Sequence, residues 1–169
     1  MKQWYKNRKK DHFYQLAKKN DLISRAYYKL EEIDKKHQII KKSSKVLDIG
    51  CCPGGWTQYV LNKSGNQSVV GVDILPIEEK FDNNFTFYNF DLNEFDKISD
   101  LFVSKNYCFD VIISDIAPNT SGNQFLDQAN SYNLSFLSFQ FIKSFLKVIG
   151  KCSVSFQAKF FVVFLLNRC

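Results

Sequence analysis

The chain of 169 residues lacks the features that would place it outside the class of small folded proteins. It contains no internal repeat and no low-complexity linker, so we expect a single domain over residues 1–169. Its longest apolar run, Phe160 to Leu166, is far shorter than the ~20 residues that cross a bilayer. The first residues are charged and are not followed by the apolar segment of a signal peptide. The sequence therefore predicts a cytoplasmic protein without a membrane partner.

Arginine is scarce, and the cysteines lack a metal-binding pattern. Only three of the 23 basic residues are arginine, a skew that a coding bias toward A and T would produce, so lysine abundance says little about function. The five cysteines include the adjacent residues Cys51 and Cys52, which are poor disulfide partners, and none of their spacings is typical of a metal site. The sequence therefore predicts no metal ion and a reducing compartment.

Positive charge is in excess and is unevenly distributed. The net charge is +6, and basic residues crowd the first quarter of the chain: Lys2, Lys6, Arg8, Lys9, Lys10, Lys18, Lys19, Lys35, Lys36, Lys41, Lys42 and Lys45. We interpret residues 1–20 as a basic N-terminal arm, which suits contact with a phosphate backbone. A solvated arm and helix face would carry the same charges, so this pattern alone leaves both interpretations open.

Short apolar segments alternate with segments of helical periodicity. We expect strands where apolar runs are bounded by polar residues, at Val46–Ile49, Val69–Asp73, Phe85–Tyr88, Phe109–Ser114 and Cys152–Gln157. We expect helices at Gly55–Leu61, Asn93–Ser104 and Gln124–Leu146, and one capped by Ser24 that contains Ala26, Tyr27, Leu30 and Ile33. The alternation predicts an α/β fold with a mostly parallel sheet and helices on both faces.

Three acidic residues lie at or just beyond the ends of predicted strands: Asp48, Asp73 and Asp115. In parallel sheets, ligands bind at the carboxyl ends of the strands. We therefore expect these three carboxylates to converge on one binding site.

The loop after the first predicted strand contains Gly50, Gly54 and Gly55, which allow a sharp turn and a close approach of a ligand to the backbone. The spacing matches neither the dinucleotide fingerprint nor the P-loop, and the loop has no basic residue to meet a pyrophosphate. Acids around such a loop fit a ligand with a cationic end and ribose hydroxyls. S-adenosylmethionine has an ammonium, a sulfonium and a ribose. The residues leave a nicotinamide dinucleotide and an inert glycine turn open as alternatives.

Three segments resemble the motifs of one enzyme family. DIGCCPGGWTQ at 48–58 is similar to the cofactor motif of the FtsJ/RrmJ family of RNA ribose 2′-O-methyltransferases. SRAYYKL at 24–30 is similar to that family's SRA-aromatic-KL segment, and DVIISDIAPNTSG at 110–122 to its SDMAPN-type segment. They occur in the family's order with VDILP at 72–76 between them, and the resemblance covers roughly residues 4–150.

The resemblance implies a class I Rossmann-like methyltransferase fold and S-adenosylmethionine as cofactor. The bacterial enzyme of this family methylates a uridine ribose in large-subunit ribosomal RNA. The implied partners are therefore ribosomal RNA and the large ribosomal subunit.

The resemblance also assigns roles to cofactor-binding residues. Gly54 and Trp56 would contact the cofactor through the loop, and Asp73 would hold its ribose. Asp91 would lie by the adenine, and Asp115 near the methionine end. Without the family, Trp56 would be interpreted as core packing and Asp91 as a helix cap.

The family's catalytic set is Lys-Asp-Lys-Glu, and this chain matches its first two members. Lys29 matches the first lysine and Asp115 the aspartate, so both are candidate catalytic residues, although Lys29 alone would be interpreted as a surface charge. A ribose hydroxyl is a weak nucleophile, which needs alignment and help with proton removal. Val154 or Ser155 stands where the second lysine belongs, and Lys159 lies beyond that position.

The end of the chain departs most from the family. No acidic residue follows Asp127, so the glutamate has no counterpart. Completing the family fold takes a further helix and a closing strand pair, roughly 30 to 40 residues. We therefore expect 150–169 to be an aberrant tail from a reading-frame change near 150–155, with the C-terminal strands missing and an apolar edge exposed.

This departure bears on activity. We expect cofactor contacts to survive in part and methyl transfer to be weak or lost. One alternative is a catalytically inactive RNA-binding remnant of the family, and a nicotinamide-dependent oxidoreductase is a third interpretation.

Overall fold

Helices and strands alternate along the chain, as the apolar pattern predicts. The structure is a computed structural model and describes residues 11–63, 67–116, 121–155 and 161–165. Its helices are α1 His12–Lys19, α2 Ala26–His37, α3 Gly55–Asn62, α4 Phe95–Ser104 after a 3₁₀ turn at Leu92–Glu94, and α5 Gln124–Phe145. Its strands are β1 Lys45–Ile49, β2 Ser68–Asp73, β3 Phe85–Asn89, β4 Phe109–Ser114, β5 Leu146–Ser155 and β6 Phe161–Leu165.

The six strands form one sheet in the order β3-β2-β1-β4-β5-β6. β1 has a parallel neighbour on each side, because Ile49 is paired with Val72 of β2 and with Ser114 of β4. β5 is parallel to β4, and β6 is antiparallel to β5. The carboxyl ends of the first five strands therefore meet at one edge, and the predicted mostly parallel α/β sheet is confirmed.

Apolar side chains pack on both faces of the sheet. One cluster contains residues of α4 and α5 and, from the strands, Leu47, Ile49, Val70, Val72, Phe109 and Ile112. The other contains residues of α2 and α3 and, from the strands, Val46, Val69, Val111 and Ile113. Val46 and Leu47 belong to different clusters because successive side chains of a strand point to opposite faces. The prediction of helices on both faces is confirmed.

The last two strands differ from the sequence prediction. β5 begins at Leu146, directly after α5, rather than at Cys152, and its pairing with β4 is irregular between Phe109 and Val111. Periodicity does not reveal a pairing partner, so it misses this early start. β6 pairs with β5 and is the last strand of the sheet, so the expectation of a tail without a neighbouring strand is wrong for residues 161–165. The absence of a full closing strand pair stays a prediction.

The described part of the basic arm is mostly helical. Asp11 caps α1, since its Oδ1 accepts a hydrogen bond from Tyr14 N at 3.2 Å, and its carboxylate also pairs with Arg25. Arg25 rather than Ser24 is the cap residue of α2, although Ser24 Oγ accepts a hydrogen bond from Ala26 N at 3.3 Å. Basic positions 2–10 and 159 lie outside the described residues. Among the described helices, none is long and apolar enough to cross a bilayer.

Candidate functional site

The carboxyl edge of the sheet brings together the three acids that the sequence singles out. Asp48 is the penultimate residue of β1, Asp73 is the last residue of β2, and Asp115 directly follows β4. β1 lies between β2 and β4, so Asp48 occupies the middle of this acidic group. The three residues therefore lie at one edge of the sheet, as predicted, and their sharing of one binding site stays a prediction.

Asp48 is buried, with a relative exposure of 1%. Its Oδ2 accepts a hydrogen bond from Thr57 Oγ1 at 2.7 Å. Burial raises the pKa of Asp48 to about 7, the Thr57 hydrogen bond opposes this shift, and the charges of Asp115 and Asp73 add to it. A cationic ligand nearby would favour the ionised form of this carboxyl group.

Asp73 is held in place by main-chain amides of two loops. Its Oδ2 accepts a hydrogen bond from Cys52 N at 2.8 Å, and its Oδ1 accepts one from Leu75 N at 2.9 Å. Each carboxylate oxygen retains a further lone pair, because it can accept two hydrogen bonds. Asp73 is therefore oriented and can still accept hydrogen bonds from a diol.

The loop glycines are required by the fold itself. Gly50 and Gly54 have φ values of +75° and +115°, which favour glycine. A Cβ on Gly54 would lie 2.8 Å from Phe81 Cζ, and one on Gly55 would lie 2.1 Å from Ser24 Oγ. The atoms that exclude a side chain at Gly54 and Gly55 thus belong to the protein, and contact of these glycines with a ligand stays a prediction.

Helix α2 brings Lys29 to the acidic edge. Lys29 Nζ lies 2.5 Å from Asp115 Oδ1, and the two side chains are 34% and 29% exposed. Lys29 Nζ also lies 5.9 Å from the centroid of the Trp56 ring. The Trp56 indole N–H donates to Ala26 O at 2.9 Å and thereby ties α3 to the first turn of α2. Trp56 is thus a packing residue here, and its contact with a cofactor stays a prediction.

Two clefts meet at Asp115. The first has a volume of about 330 Å³, and its lining includes Asp48, Gly50, Cys51, Cys52, Gly55 and Trp56 together with Asp115. The second has a volume of about 370 Å³, and its lining includes Phe13, Arg25, Tyr28 and Lys29 together with Asp115. Both volumes are in the range of small-molecule sites. Arg25 and Ala26 also line both clefts, so ligands in the two clefts would be neighbours beside Asp115.

Three of the predicted cofactor-binding residues are not among the described residues that line the first cleft: Gly54, Asp73 and Asp91. Asp73 is joined to that cleft through its hydrogen bond with Cys52. Asp91 caps the 3₁₀ turn, where its Oδ1 accepts from Asn93 N at 2.9 Å. Asp91 thus has the helix-cap role that the sequence indicates without the family resemblance. Its contact with adenine stays a prediction.

Thr57 and Arg25 belong to the site but were not among the predicted site residues. Thr57 donates to Asp48, and its place in the first turn of the helix after the loop could have pointed to it. Arg25 lines both clefts and pairs with Asp11. Its position inside the SRAYYKL segment was the available signal, but charge alone does not tell which basic residue faces a cleft.

Comparison with known proteins gives a family match over most of the chain. The family model for FtsJ-like methyltransferases matches residues 22–163. A protein named ribosomal RNA large subunit methyltransferase E from Bdellovibrio bacteriovorus is 37% identical over 144 residues, which cover 83% of this chain and 72% of the relative. The protein of that name from Oleidesulfovibrio alaskensis is 41% identical over 128 residues, which cover 75% and 62%.

A third protein of that name, from Methanocaldococcus jannaschii, is 38% identical over 164 residues, which cover 95% of this chain and 65% of the relative. The chain thus spans between 62% and 72% of the length of these three relatives.

Solved structures share the fold. A Plasmodium falciparum protein described as a ribosomal RNA methyltransferase superposes with a TM-score of 0.64 at 31% identity, covering 78% of this chain and 76% of that one. The methyltransferase MycE of the mycinamycin biosynthetic pathway superposes with a TM-score of 0.57 at 15% identity, covering 88% and 35%. The latter likeness concerns the fold alone.

Proposed function

The chain belongs to the family of FtsJ-like methyltransferases, and on that premise we propose that it methylates a ribose 2′-hydroxyl of a uridine in large-subunit ribosomal RNA, with S-adenosylmethionine as cofactor. The names of the relatives support ribosomal RNA as the substrate and the large ribosomal subunit as the partner. The cytoplasmic location stays a prediction from the sequence. The choice of a uridine and of the ribose rests on the motif resemblance. The observation that carries the proposal is the Lys29–Asp115 pair at the meeting point of two clefts.

The acidic edge fits the chemistry of S-adenosylmethionine, which supplies the methyl group when bound. Asp48 and Asp115 line the first cleft, where their carboxylates attract the ammonium and sulfonium groups of such a ligand. Asp73 is fixed by two main-chain amides and retains lone pairs for the ribose hydroxyls. The site therefore has acceptors for both the cationic and the ribose parts of the cofactor.

In this proposal Lys29 orients the acceptor ribose. Its ammonium is held by Asp115 and borders the second cleft, so it can donate a hydrogen bond to a 2′ oxygen bound there. Fixing this oxygen against the neighbouring cleft contributes to transfer through alignment, because the reacting atoms must be within about 3 to 3.5 Å. Asp115 would act by holding Lys29 in this orientation.

A second candidate function is RNA binding without methyl transfer, and one position favours it. The β5 register pairs Val154 with Ser114, at the same edge as Asp115. The family resemblance expects the second lysine at Val154 or Ser155, and neither valine nor serine has a basic group that could take up the proton. Basic residues such as Arg25 could still contact RNA phosphates.

The test is a transfer assay with the full chain, S-adenosylmethionine carrying an isotopic label in its methyl group, and large ribosomal subunits that lack the modification. After digestion of the RNA, mass spectrometry identifies the labelled nucleoside. We expect labelled 2′-O-methyluridine, at a low rate because of Val154. The variant Val154→Lys adds a lysine at this position, and we expect it to raise the rate of methyl transfer.

Each outcome separates the candidates. A label on a base instead of a ribose contradicts the proposed site of methylation. RNA binding without any label, in wild type and in V154K alike, supports the inactive RNA-binding alternative. Binding of a nicotinamide dinucleotide in place of S-adenosylmethionine would support the oxidoreductase interpretation.

A further inference from the structure

The fold brings together three metal-ligating side chains that the sequence separates. Cys51 and Cys52 follow β1, and Asp73 ends the neighbouring parallel strand β2. One ligand atom from each, two sulfurs and a carboxylate oxygen, lie within 4.8 Å of one another. The cysteine spacing predicted no metal site, because the third ligand comes from a different strand.

We propose that Cys51, Cys52 and Asp73 bind one thiophilic divalent cation of the Zn²⁺ or Cd²⁺ type. Two sulfurs and one carboxylate oxygen form a donor set that suits such ions, whereas Mg²⁺ and Ca²⁺ prefer oxygen ligands throughout. Three protein ligands leave the fourth tetrahedral position to water or to a main-chain oxygen.

The geometry is close to that of a coordination site. In a tetrahedral zinc site the ligand atoms are about 3.5 to 3.8 Å apart, so the present separations need to close by only about 1 Å. Cys51 Sγ packs over Gly71 of β2, where an added Cβ would lie 2.8 Å from this sulfur. Asp73 is two residues farther along β2 and therefore on the same face of the sheet.

The hydrogen bonds around the cluster hold two of the three ligands near each other. Asp73 Oδ2 accepts from Cys52 N at 2.8 Å, and Cys52 Sγ donates to Leu75 O at 3.0 Å. On coordination the Cys51 and Cys52 thiols lose their protons to solvent, because a bound cation deprotonates its thiol ligands. Leu75 O then loses its donor, and this main-chain oxygen is our candidate for the fourth ligand.

An ion can reach the cluster from the first cleft. Cys51 and Cys52 both line this cleft together with Asp48 and Asp115. Cys52 and Asp73 are half-buried rather than sealed in the core. The carboxylates of the cleft attract cations, which raises the local concentration of an approaching ion.

Coordination has a consequence that rests on the proposed function. If Asp73 accepts hydrogen bonds from the cofactor ribose, the ion and the cofactor need the same carboxylate. The ion would then act as a competitive inhibitor with respect to S-adenosylmethionine.

The experiment is a titration of the reduced full chain with cadmium chloride, followed by calorimetry and by the ultraviolet absorption of cadmium–thiolate bonds. We expect a bound ion whose dissociation constant rises at least about tenfold in Cys52→Ala and in Asp73→Asn. Cys108→Ala is the matched control, because Cys108 is an exposed free cysteine outside the cluster, and we expect its affinity to be unchanged. Circular dichroism verifies that each variant is folded.

Two results with the cysteine variants would overturn the ion site. One is cadmium–thiolate absorption that persists in Cys51→Ala and Cys52→Ala at wild-type affinity. The other is an equal loss of affinity in Cys108→Ala. Asp73→Asn keeps the test decisive if a cysteine variant fails to fold, since an unchanged affinity in that variant also contradicts the proposed ligand set.

A second arm adds S-adenosylmethionine to the cadmium-loaded chain. Displacement of the ion supports the shared use of Asp73. Cofactor binding that leaves the ion in place overturns the sharing. Failure of the ion-free chain to bind the cofactor counts against the proposed function and leaves the ion result standing.

Discussion

Strand β4 has a lysine–aspartate pair at each of its ends. Near its carboxyl end, Lys29 Nζ lies 2.5 Å from Asp115 Oδ1, and near its amino end, Lys147 Nζ lies 2.5 Å from Asp110 Oδ1. The side chains are 34% and 29% exposed in the first pair and 43% and 34% exposed in the second. The geometry of the pairs does not distinguish them.

The surroundings of the two lysine–aspartate pairs distinguish them. Asp110 Oδ2 also accepts a hydrogen bond from Lys45 N at 2.8 Å, so this pair joins the starts of β1, β4 and β5. Burial alone would raise the pKa of Asp110, but the hydrogen bonds from Lys147 and Lys45 outweigh burial and lower it. The pair at the amino end is therefore a structural link between strands.

The pair at the carboxyl end borders two clefts and has Asp48 and Trp56 as neighbours. Ligands of parallel sheets bind at this edge, where loops diverge and leave space. The end of the strand, and not the length of the ion pair, is therefore our reason for proposing a catalytic role for Lys29 and a structural role for Lys147.

The largest expected effect separates the two lysines. We expect Lys29→Met to lower the rate of ribose methylation by about 100-fold, because the acceptor oxygen loses the group that aligns it. Lys147→Met is the matched control, and we expect its rate to stay within about twofold of wild type. The measurement is single-turnover methyl transfer to ribosomal RNA, and equal losses in both variants would remove the distinction between the two ends.

The second expected effect is a pH dependence of stability caused by the buried Asp48 at the carboxyl edge. Native Asp48 titrates near pH 7, whereas in the unfolded chain it titrates near 3.8, so the native state holds the proton more tightly. Its contribution to the free energy of unfolding therefore falls as the pH rises from about 4 to about 7, by at most about 4 kcal/mol. Asp48→Asn removes this charge and leaves an acceptor for Thr57.

Urea unfolding of wild type and Asp48→Asn at about pH 4 and about pH 8 measures this effect. We expect the stability of the variant relative to wild type to increase between the two pH values. A relative stability that does not change with pH would contradict the burial of a titrating acid at this edge.

The smallest effect is expected at the amino end of β4, where the pKa of the acid is lowered rather than raised. The pKa of Asp110 is lowered, so its stabilising contribution is present above the ordinary pKa of 3.8 and is lost as the pH falls through the folded value. We expect Asp110→Asn to lower the free energy of unfolding by about 0.2 to 1 kcal/mol at neutral pH, as for a partly exposed pair. Thermal unfolding of wild type and Asp110→Asn at neutral and at strongly acidic pH measures this difference in stability. A difference that grows toward acidic pH would contradict the lowered pKa of Asp110.

Much of the fold could be predicted because apolar runs report burial directly. The predicted strand at Phe109–Ser114 matches β4 residue for residue, since its apolar centre is covered on both faces and is bounded by Asp110 and Asp115. The start of β5 at Leu146 and the pairing of β6 could not be predicted in this way. Their partners are other strands, and a single-segment pattern contains no information about pairing.

The candidate site was predictable to a similar degree. The acids Asp48, Asp73 and Asp115 followed from the rule that strand ends of one direction meet at one edge. Thr57 was not predicted because its hydrogen bond to Asp48 depends on the orientation of α3 relative to β1, which a sequence pattern does not reveal.

Periodicity and local motifs in the sequence predicted most of the order of strands and helices, the acidic edge and the family. Which charges and thiols become neighbours depends on the tertiary structure. It buried Asp48, placed Lys29 on Asp115 from a helix 86 residues earlier in the chain, and set Asp73 beside Cys51 and Cys52. The physical reason is that desolvation and charge interactions depend on distances in space, which only the packing of β1, β2 and β4 with their helices establishes.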